Sequence, residues 1–232
     1  MSDKRILLTG ASKGIGYQIA KSLVAMGHQL IAIARSEKKL LQLKEFAPDH
    51  IEILAIDITT DGSADMLKNY FIEHDLKLDA LIHNAGLLIN KPFMDQTDSD
   101  WRKQMEVNLF APVTITRTLL PFFNEGSHIL SISSMGGYQG SSKFPGLSAY
   151  SVSKGALSIL SEVLAAELSN QKIKSNALCL GAVQTEMLVQ AFPGFEAPLS
   201  PKEMGDYIAN FAVDGHRFYN GQILPVTLGN PG

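Results

Sequence analysis

The 232-residue chain is 45% hydrophobic and 19% charged, which supplies the core of one compact domain over residues 1–232. Its formal charge of −3 gives no electrostatic attraction for nucleic acid or for an anionic membrane, so neither is expected as a partner. One cysteine, Cys179, excludes an internal disulfide and a cysteine-rich metal site, and no bound metal is expected.

In chain order, the strand-like runs are Arg5–Thr9, Gln29–Ala34, Ile51–Ile56, Ala80–His83, His128–Ser133, Lys174–Leu180 and Gln222–Val226. Helical patterns fall between them near 15–27, 36–46, 61–74, 99–123, 149–170 and 201–213. Alternating strands and helices predict a parallel sheet with helices on both faces, joined by right-handed crossovers. Three longer segments, 87–97, 135–149 and 184–200, follow the C-terminal ends of strands, where open parallel sheets bind ligands. The first strand starts within five residues, which leaves no room for a signal peptide, and no apolar stretch approaches membrane-spanning length. A cytoplasmic location is the expectation.

The first strand runs into Thr9-Gly10-Ala11-Ser12-Lys13-Gly14-Ile15-Gly16 and then into a helix. Such a turn builds an anion site from backbone N–H groups and the positive end of the helix dipole. Gly10 allows the tight turn, Gly14 the approach of a pyrophosphate, and Gly16 close packing of helix on strand. The spacing is G-x-x-x-G-x-G, and a plain strand–helix turn also uses glycine. Arg35 follows the second strand, whose end carries no carboxylate. In dinucleotide folds an arginine there accommodates a ribose 2′-phosphate, and Lys13 adds a second cation; two solvated surface charges are the blander account.

Asn84-Ala85-Gly86 follows the fourth strand. Asn108 sits inside a helical pattern, where an asparagine competes with the backbone for hydrogen bonds, which points to a role; a solvent-facing asparagine is the blander account. Ser133-Ser134 closes the fifth strand, where a hydroxyl either meets a ligand or caps the chain. Tyr150 and Lys154, four residues apart, share a helix face. A cation lowers a phenol's pKa toward the usable range, although such pairs also occur by chance. Cys179, within an apolar strand, reads as a buried thiol.

Together these residues resemble the simple, single-domain branch of the short-chain dehydrogenase/reductase family over nearly the whole chain. The resemblance rests on Thr9–Gly16, Asp57, Asn84-Ala85-Gly86, Asn108, Ser134, Tyr150-x-x-x-Lys154, Gly181 and Thr185. It implies an α/β, Rossmann-type doubly wound sheet of about seven strands. By resemblance, Tyr150 is the general acid/base, Ser134 bonds the reacting oxygen, Lys154 holds the nicotinamide ribose and lowers the tyrosine pKa, and Asn108 helps hold a water. The cofactor positions are Gly10, Ser12, Lys13, Gly14, Ile15, Gly16, Arg35, Asp57, Ile58, Asn84, Ala85, Gly86, Tyr150, Lys154, Val183 and Thr185. The cofactor implied is NADP(H), and the activity is oxidation or reduction of a small carbonyl or alcohol substrate.

Three departures stand out. Leu180-Gly181 replaces the usual Pro-Gly, Ser141–Pro145 lengthens the stretch before Tyr150, and the C-terminal end reads Val226-Thr227-Leu228-Gly229. A non-catalytic NADP(H)-binding regulatory module is the alternative, which the intact Asn108, Ser134, Tyr150 and Lys154 disfavour. Apolar loop residues such as Phe93, Phe144, Met187 and Phe195 fit either an apolar substrate or ordinary loop anchoring. A homo-oligomer is expected, a tetramer or else a dimer, through Leu109, Phe110 and Val113 on one helix and Leu157, Leu160 and Leu164 on another.

Overall fold

Ile6, Leu7 and Leu8 are all fully buried, yet Ile6 and Leu8 join one hydrophobic cluster and Leu7 another. Successive strand side chains point to opposite faces, so a run that is apolar at every position needs cover on both. The second strand follows the same rule, with Leu30 and Ala32 on one side and Ile31 and Ile33 on the other. These strands are part of the computed structural model of the protein, which describes residues 3–228. Of the altered C-terminal end, Gly229–Gly232 lie outside the described residues.

The strands are β1 (Arg5–Thr9), β2 (Gln29–Ala34), β3 (Ile51–Ala55), β4 (Leu78–His83), β5 (Phe123–Ser134), β6 (Lys174–Leu180) and β7 (Ile223–Val226). They form one parallel sheet in the order β3-β2-β1-β4-β5-β6-β7. The helices are α1 (Gly14–Ala25), α2 (Glu37–Phe46), α3 (Ser63–Glu73), α4 (Asp98–Met105), α5 (Ala111–Leu119), α6 (Ser148–Glu167), α7 (Glu186–Ala191) and α8 (Pro201–Asp214). Helices α1, α2 and α8 bury Leu23, Leu40 and Ile208 on one face of the sheet. On the other, α3 and α5 bury Phe71 and Ile115, and α6 lies against β5 and β6. The strand order reverses between β1 and β4, which opens a crevice at their C-terminal ends.

Three elements differ from the sequence reading. The single helix expected over 99–123 is α4, a π turn at Glu106–Phe110, and α5. Pro112 lacks the N–H that an α-helix would give to the Asn108 carbonyl, and the Ala111 N–H reaches five residues back to Glu106. Strand β5 begins at Phe123, not His128, because Pro121 ends the helix early. The segment 184–200 holds the six-residue α7, whose N-cap Thr185 accepts from the Leu188 N–H at 3.2 Å. Among the described residues no helix is long and apolar enough to cross a membrane.

The expected oligomer residues divide. Leu157 is buried and Leu164 packs on the Ile129 cluster, whereas the exposed apolar side chains here are Phe110, Val152, Ile159 and Val163.

Two histidines in the interior make the fold acid-sensitive. His83 bonds Thr116 at 2.8 Å; burial and then the nearby Lys154 push its pKa down to about 3. His128 donates from Nδ1 to the Ala212 carbonyl at 3.0 Å and accepts from Asn176 at 3.1 Å. Burial likewise takes it to about 3, helped by His216 and Lys4 and opposed by the Ala212 bond. Both stay neutral when folded and bind a proton when unfolded between pH 6.5 and about 3. In that window stability falls with falling pH by about 1.4 kcal/mol per unit for each histidine. By pH 5 each contributes a loss of about 2 kcal/mol relative to pH 7. Guanidinium unfolding at the two pH values measures it, and equal stabilities would overturn the assignment.

Candidate active site

The glycine turn closes β1. Gly10, at φ 72°, directs its own N–H and that of Ala11 to the Ile33 carbonyl at 2.8 and 3.1 Å. A β-carbon at Gly16 would overlap the Gly10 carbonyl oxygen and the Asn84 amide, so the close packing expected of Gly16 is realised. Gly14 takes φ 56°, with only the Thr185 side chain nearby. The turn opens into α1, whose N-cap, Lys13, makes no side-chain capping bond and whose first turn holds no acidic residue. Backbone N–H groups there are left for an anionic ligand.

Asn84 holds this turn. Its Nδ2 donates to the Thr9 and Gly10 carbonyls at 3.0 and 3.2 Å. Thr9 Oγ1 in return accepts from the Asn84 and Ala85 N–H groups, each at 3.1 Å. Asn84 Nδ2 is therefore used on the protein, and Asn84, Ala85 and Gly86 together border the site.

A cleft of about 740 Å³ lies over these strand ends. Ser12, Lys13, Ile15, Arg35, Asp57, Ile58, Val183 and Thr185 border it, with the glycines and Asn84–Gly86. Arg35 is exposed at the end of β2, whereas Lys13 is paired with Glu186 at 3.1 Å. Partial burial draws the Asp57 carboxyl up, but bonds from Thr59 at 3.0 and 2.7 Å and the charge of Arg35 outweigh this and hold it below its ordinary range. Val183 is buried and bridges Leu199, while Thr185 serves as the α7 cap.

Ser134, Tyr150 and Lys154 border the same cleft. The neighbouring serines separate cleanly: Ser133 is buried and donates to the Lys154 carbonyl at 2.8 Å, while the Ser134 hydroxyl accepts from the Gly136 N–H at 3.1 Å and acts on Tyr150. The turn Met135–Gly137 rests on α6 at Lys154-Gly155, where a β-carbon on Gly137 would come within 2.6 Å of the Lys154 carbonyl carbon. Burial raises Tyr150 to about 12, opposed by Ser134. Lys154 is not among the groups that shift it. Lys154 itself is pushed down to about 8 by burial, and its Nζ donates to the Ile132 carbonyl at 2.8 Å. Cys179 is buried and its thiol is raised by that burial, as the sequence implied.

Asn108 does not line the cleft; it stands beneath it in the π turn, fully buried. Its amide accepts from the Leu87 N–H at 2.8 Å and donates to the Leu87 carbonyl at 2.9 Å and to Ser153 at 2.9 Å. Two more residues on that helix face went unnoticed in the sequence. Gln104 accepts from the Ile89 N–H at 2.9 Å, and Asp100 pairs with Lys91 at 2.8 Å. Their signal was the four-residue spacing 100, 104, 108. Gln96 was also missed; it donates to the Lys91 and Gly146 carbonyls at 2.8 and 3.2 Å and to Ser148 at 3.1 Å, tying one cleft loop to the start of α6. Among the described residues no group of three or more His, Cys, Asp or Glu could hold a metal ion.

The comparisons agree with this geometry. A family model described as short chain dehydrogenase matches residues 4–194. The fatty acyl-CoA reductase of Acinetobacter baylyi is 32% identical over 216 residues, spanning 90% of this chain and 72% of that protein. A short chain dehydrogenase from Shigella flexneri, solved with NADP, superposes with a TM-score of 0.88 at 29% identity, covering 97% of each chain. A 3-ketoacyl-(acyl-carrier-protein) reductase from Brucella melitensis, solved with NADH, gives 0.88 at 25% identity over 98% of each.

Proposed function

The chain belongs to the short chain dehydrogenase family of oxidoreductases, and from that premise we propose that it is an NADP(H)-dependent enzyme acting on a carbonyl or secondary-alcohol carbon. The observation that carries this reading is one cleft bordered both by Tyr150, Ser134 and Lys154 and by Arg35 and Asp57. The uncapped α1 start and the glycine approach at Gly14 fit a dinucleotide pyrophosphate. Bound there, the cofactor supplies the hydride chemistry.

The protein supplies the proton and the positioning. Tyr150, a phenol and so protonated at neutral pH, donates from its hydroxyl to the carbonyl oxygen. Ser134 Oγ donates to that same oxygen and fixes its place. Lys154, beside Gly86 and charged below about pH 8, takes the ribose hydroxyls. Asn108 holds the Leu87 loop that backs this group. A non-catalytic module would need none of this arrangement.

Among the solved relatives one carries NADP and another NADH, so the choice rests on this chain's own charges. With Lys13 paired to Glu186, Arg35 is the group left for a 2′-phosphate, through a charge-assisted and often bidentate contact. Arg35→Ala is expected to weaken NADPH binding by at least about tenfold and leave NADH nearly unchanged. Equal NADPH and NADH affinities of the unaltered protein, by fluorescence titration, would overturn the preference.

Assembly into a tetramer, or else a dimer, is part of the same proposal. Phe110, Val152, Ile159 and Val163 are 45–60% exposed, and a self-complementary contact between copies would cover them. Light scattering at micromolar concentration that returns the mass of one chain would overturn it.

A further inference from the structure

Within the oxidoreductase reading, the charges along the cleft are unevenly distributed. The ionisable side chains that border it are Lys13, Arg35, Asp57 and Glu186 toward the glycine turn, and Tyr150 and Lys154 at the reaction centre. The remaining wall, from the loops 87–97, 135–149 and 184–200, is apolar, with Leu88, Leu147, Met187 and Phe192 among its members. A charged group placed against that wall would lose its water without gaining a partner, which is costly. Apolar surface also continues outward, because Phe144 and Phe195 border the cleft and remain 37% and 49% exposed. Side chains that only anchored their loops would be buried.

Polar bonds order the segments that carry both rings. The lengthened segment that carries Phe144 is folded back by Ser141, which donates to the Met135 carbonyl and, at 2.9 Å, to the Tyr138 carbonyl. Lys143 adds a bond to Ser141 at 2.8 Å. Phe195 follows the end of α7, its N–H on the Phe192 carbonyl at 3.1 Å, and Gln184 accepts from the Ala197 N–H at 2.6 Å. The backbone that presents the apolar rim is thus tied to its surroundings.

We propose that the substrate is a carbonyl compound bearing an uncharged aliphatic chain that leaves the cleft across Phe144 and Phe195. The inference rests on the oxidoreductase reading but fails separately from it. The test measures kcat/KM with NADPH for unbranched 2-alkanones from five to eleven carbons, beside an eleven-carbon methyl ketone that ends in a carboxylate. Efficiency is expected to rise about threefold per added methylene, and the carboxylate analogue to fall well below the alkanone of equal length. Phe144→Ala and Phe195→Ala should each lower the ratio of the longest to the shortest ketone, with protection against thermal unfolding by NADPH reporting that the variants are folded. A flat series, or equal turnover of the carboxylate analogue, overturns the chain assignment while leaving the oxidoreductase reading intact. No reduction of any carbonyl together with no protection by NADPH overturns both.

Discussion

Replacing Tyr150 with phenylalanine is expected to lower turnover by about two to four orders of magnitude while NADPH binding survives. The ring stays in place on α6, and only the hydroxyl is removed. That hydroxyl titrates near 12 because burial disfavours the phenolate more than Ser134 supports it. At neutral pH it is therefore an acid with a proton to give, as carbonyl reduction requires. Lys154, held near 8 and bonded to the Ile132 carbonyl, cannot replace it as donor from where it stands. Stopped-flow turnover and a fluorescence titration of NADPH on the same preparation separate chemistry from binding. A purified variant with near-unaltered kcat would show that the proton comes from elsewhere.

A second large effect is expected at Gly137. Alanine there would bring a β-carbon within 2.6 Å of the Lys154 carbonyl carbon, and closer still to the Gly155 nitrogen. Both neighbours are helix backbone and have little freedom to yield. The Met135–Gly137 turn must then lift from α6, at about 1–3 kcal/mol or somewhat more. Ser134 caps that turn through the Gly136 N–H, so its hydroxyl should leave its position against Tyr150. Gly137→Ala is expected to lose both thermal stability and at least about tenfold in turnover. Gly140→Ala, at a glycine with no atom near its would-be β-carbon but a φ of 86°, should cost stability alone. Unchanged activity in Gly137→Ala would mean that the turn and Tyr150 are not coupled.

The sheet was legible because its signal is local: Ile6–Leu8 of β1 and Leu30–Ala34 of β2 are unbroken apolar runs, and the glycine turn marks where β1 becomes α1. The same holds for Tyr150 and Lys154, whose shared face follows from helix geometry alone. What escaped depends on partners distant in sequence. The purpose of Asn108 is visible only once Leu87 lies beside it, and Gln104 is an ordinary helix residue until Ile89 arrives. The break at Glu106–Phe110 could have been read from Pro112, four residues beyond Asn108. That burial outweighs the neighbouring groups at Tyr150 was not visible, because spacing reports neighbours along a helix but says nothing of burial.

The pairing of Leu87, Ile89 and Lys91 with Asn108, Gln104 and Asp100 behaves as a molecular vernier. Four residues of α-helix advance about 6.0 Å, less where the π turn at Glu106–Phe110 intervenes, and two residues of fully extended chain about 6.6 Å. The two scales thus slip by at least about 0.6 Å at each graduation, comparable to the whole tolerance of an N–H···O bond. Asn108 engages both backbone groups of Leu87, Gln104 only the N–H of Ile89, and Asp100 neither group of Lys91. By that third mark the Lys91 N–H has turned to Gly146 at 3.1 Å, and its long side chain takes up the offset. A fourth graduation would be out of reach, and the chain bends away at Pro92. The number of rungs that join this loop to the helix beneath it is thus set by two incommensurate repeats.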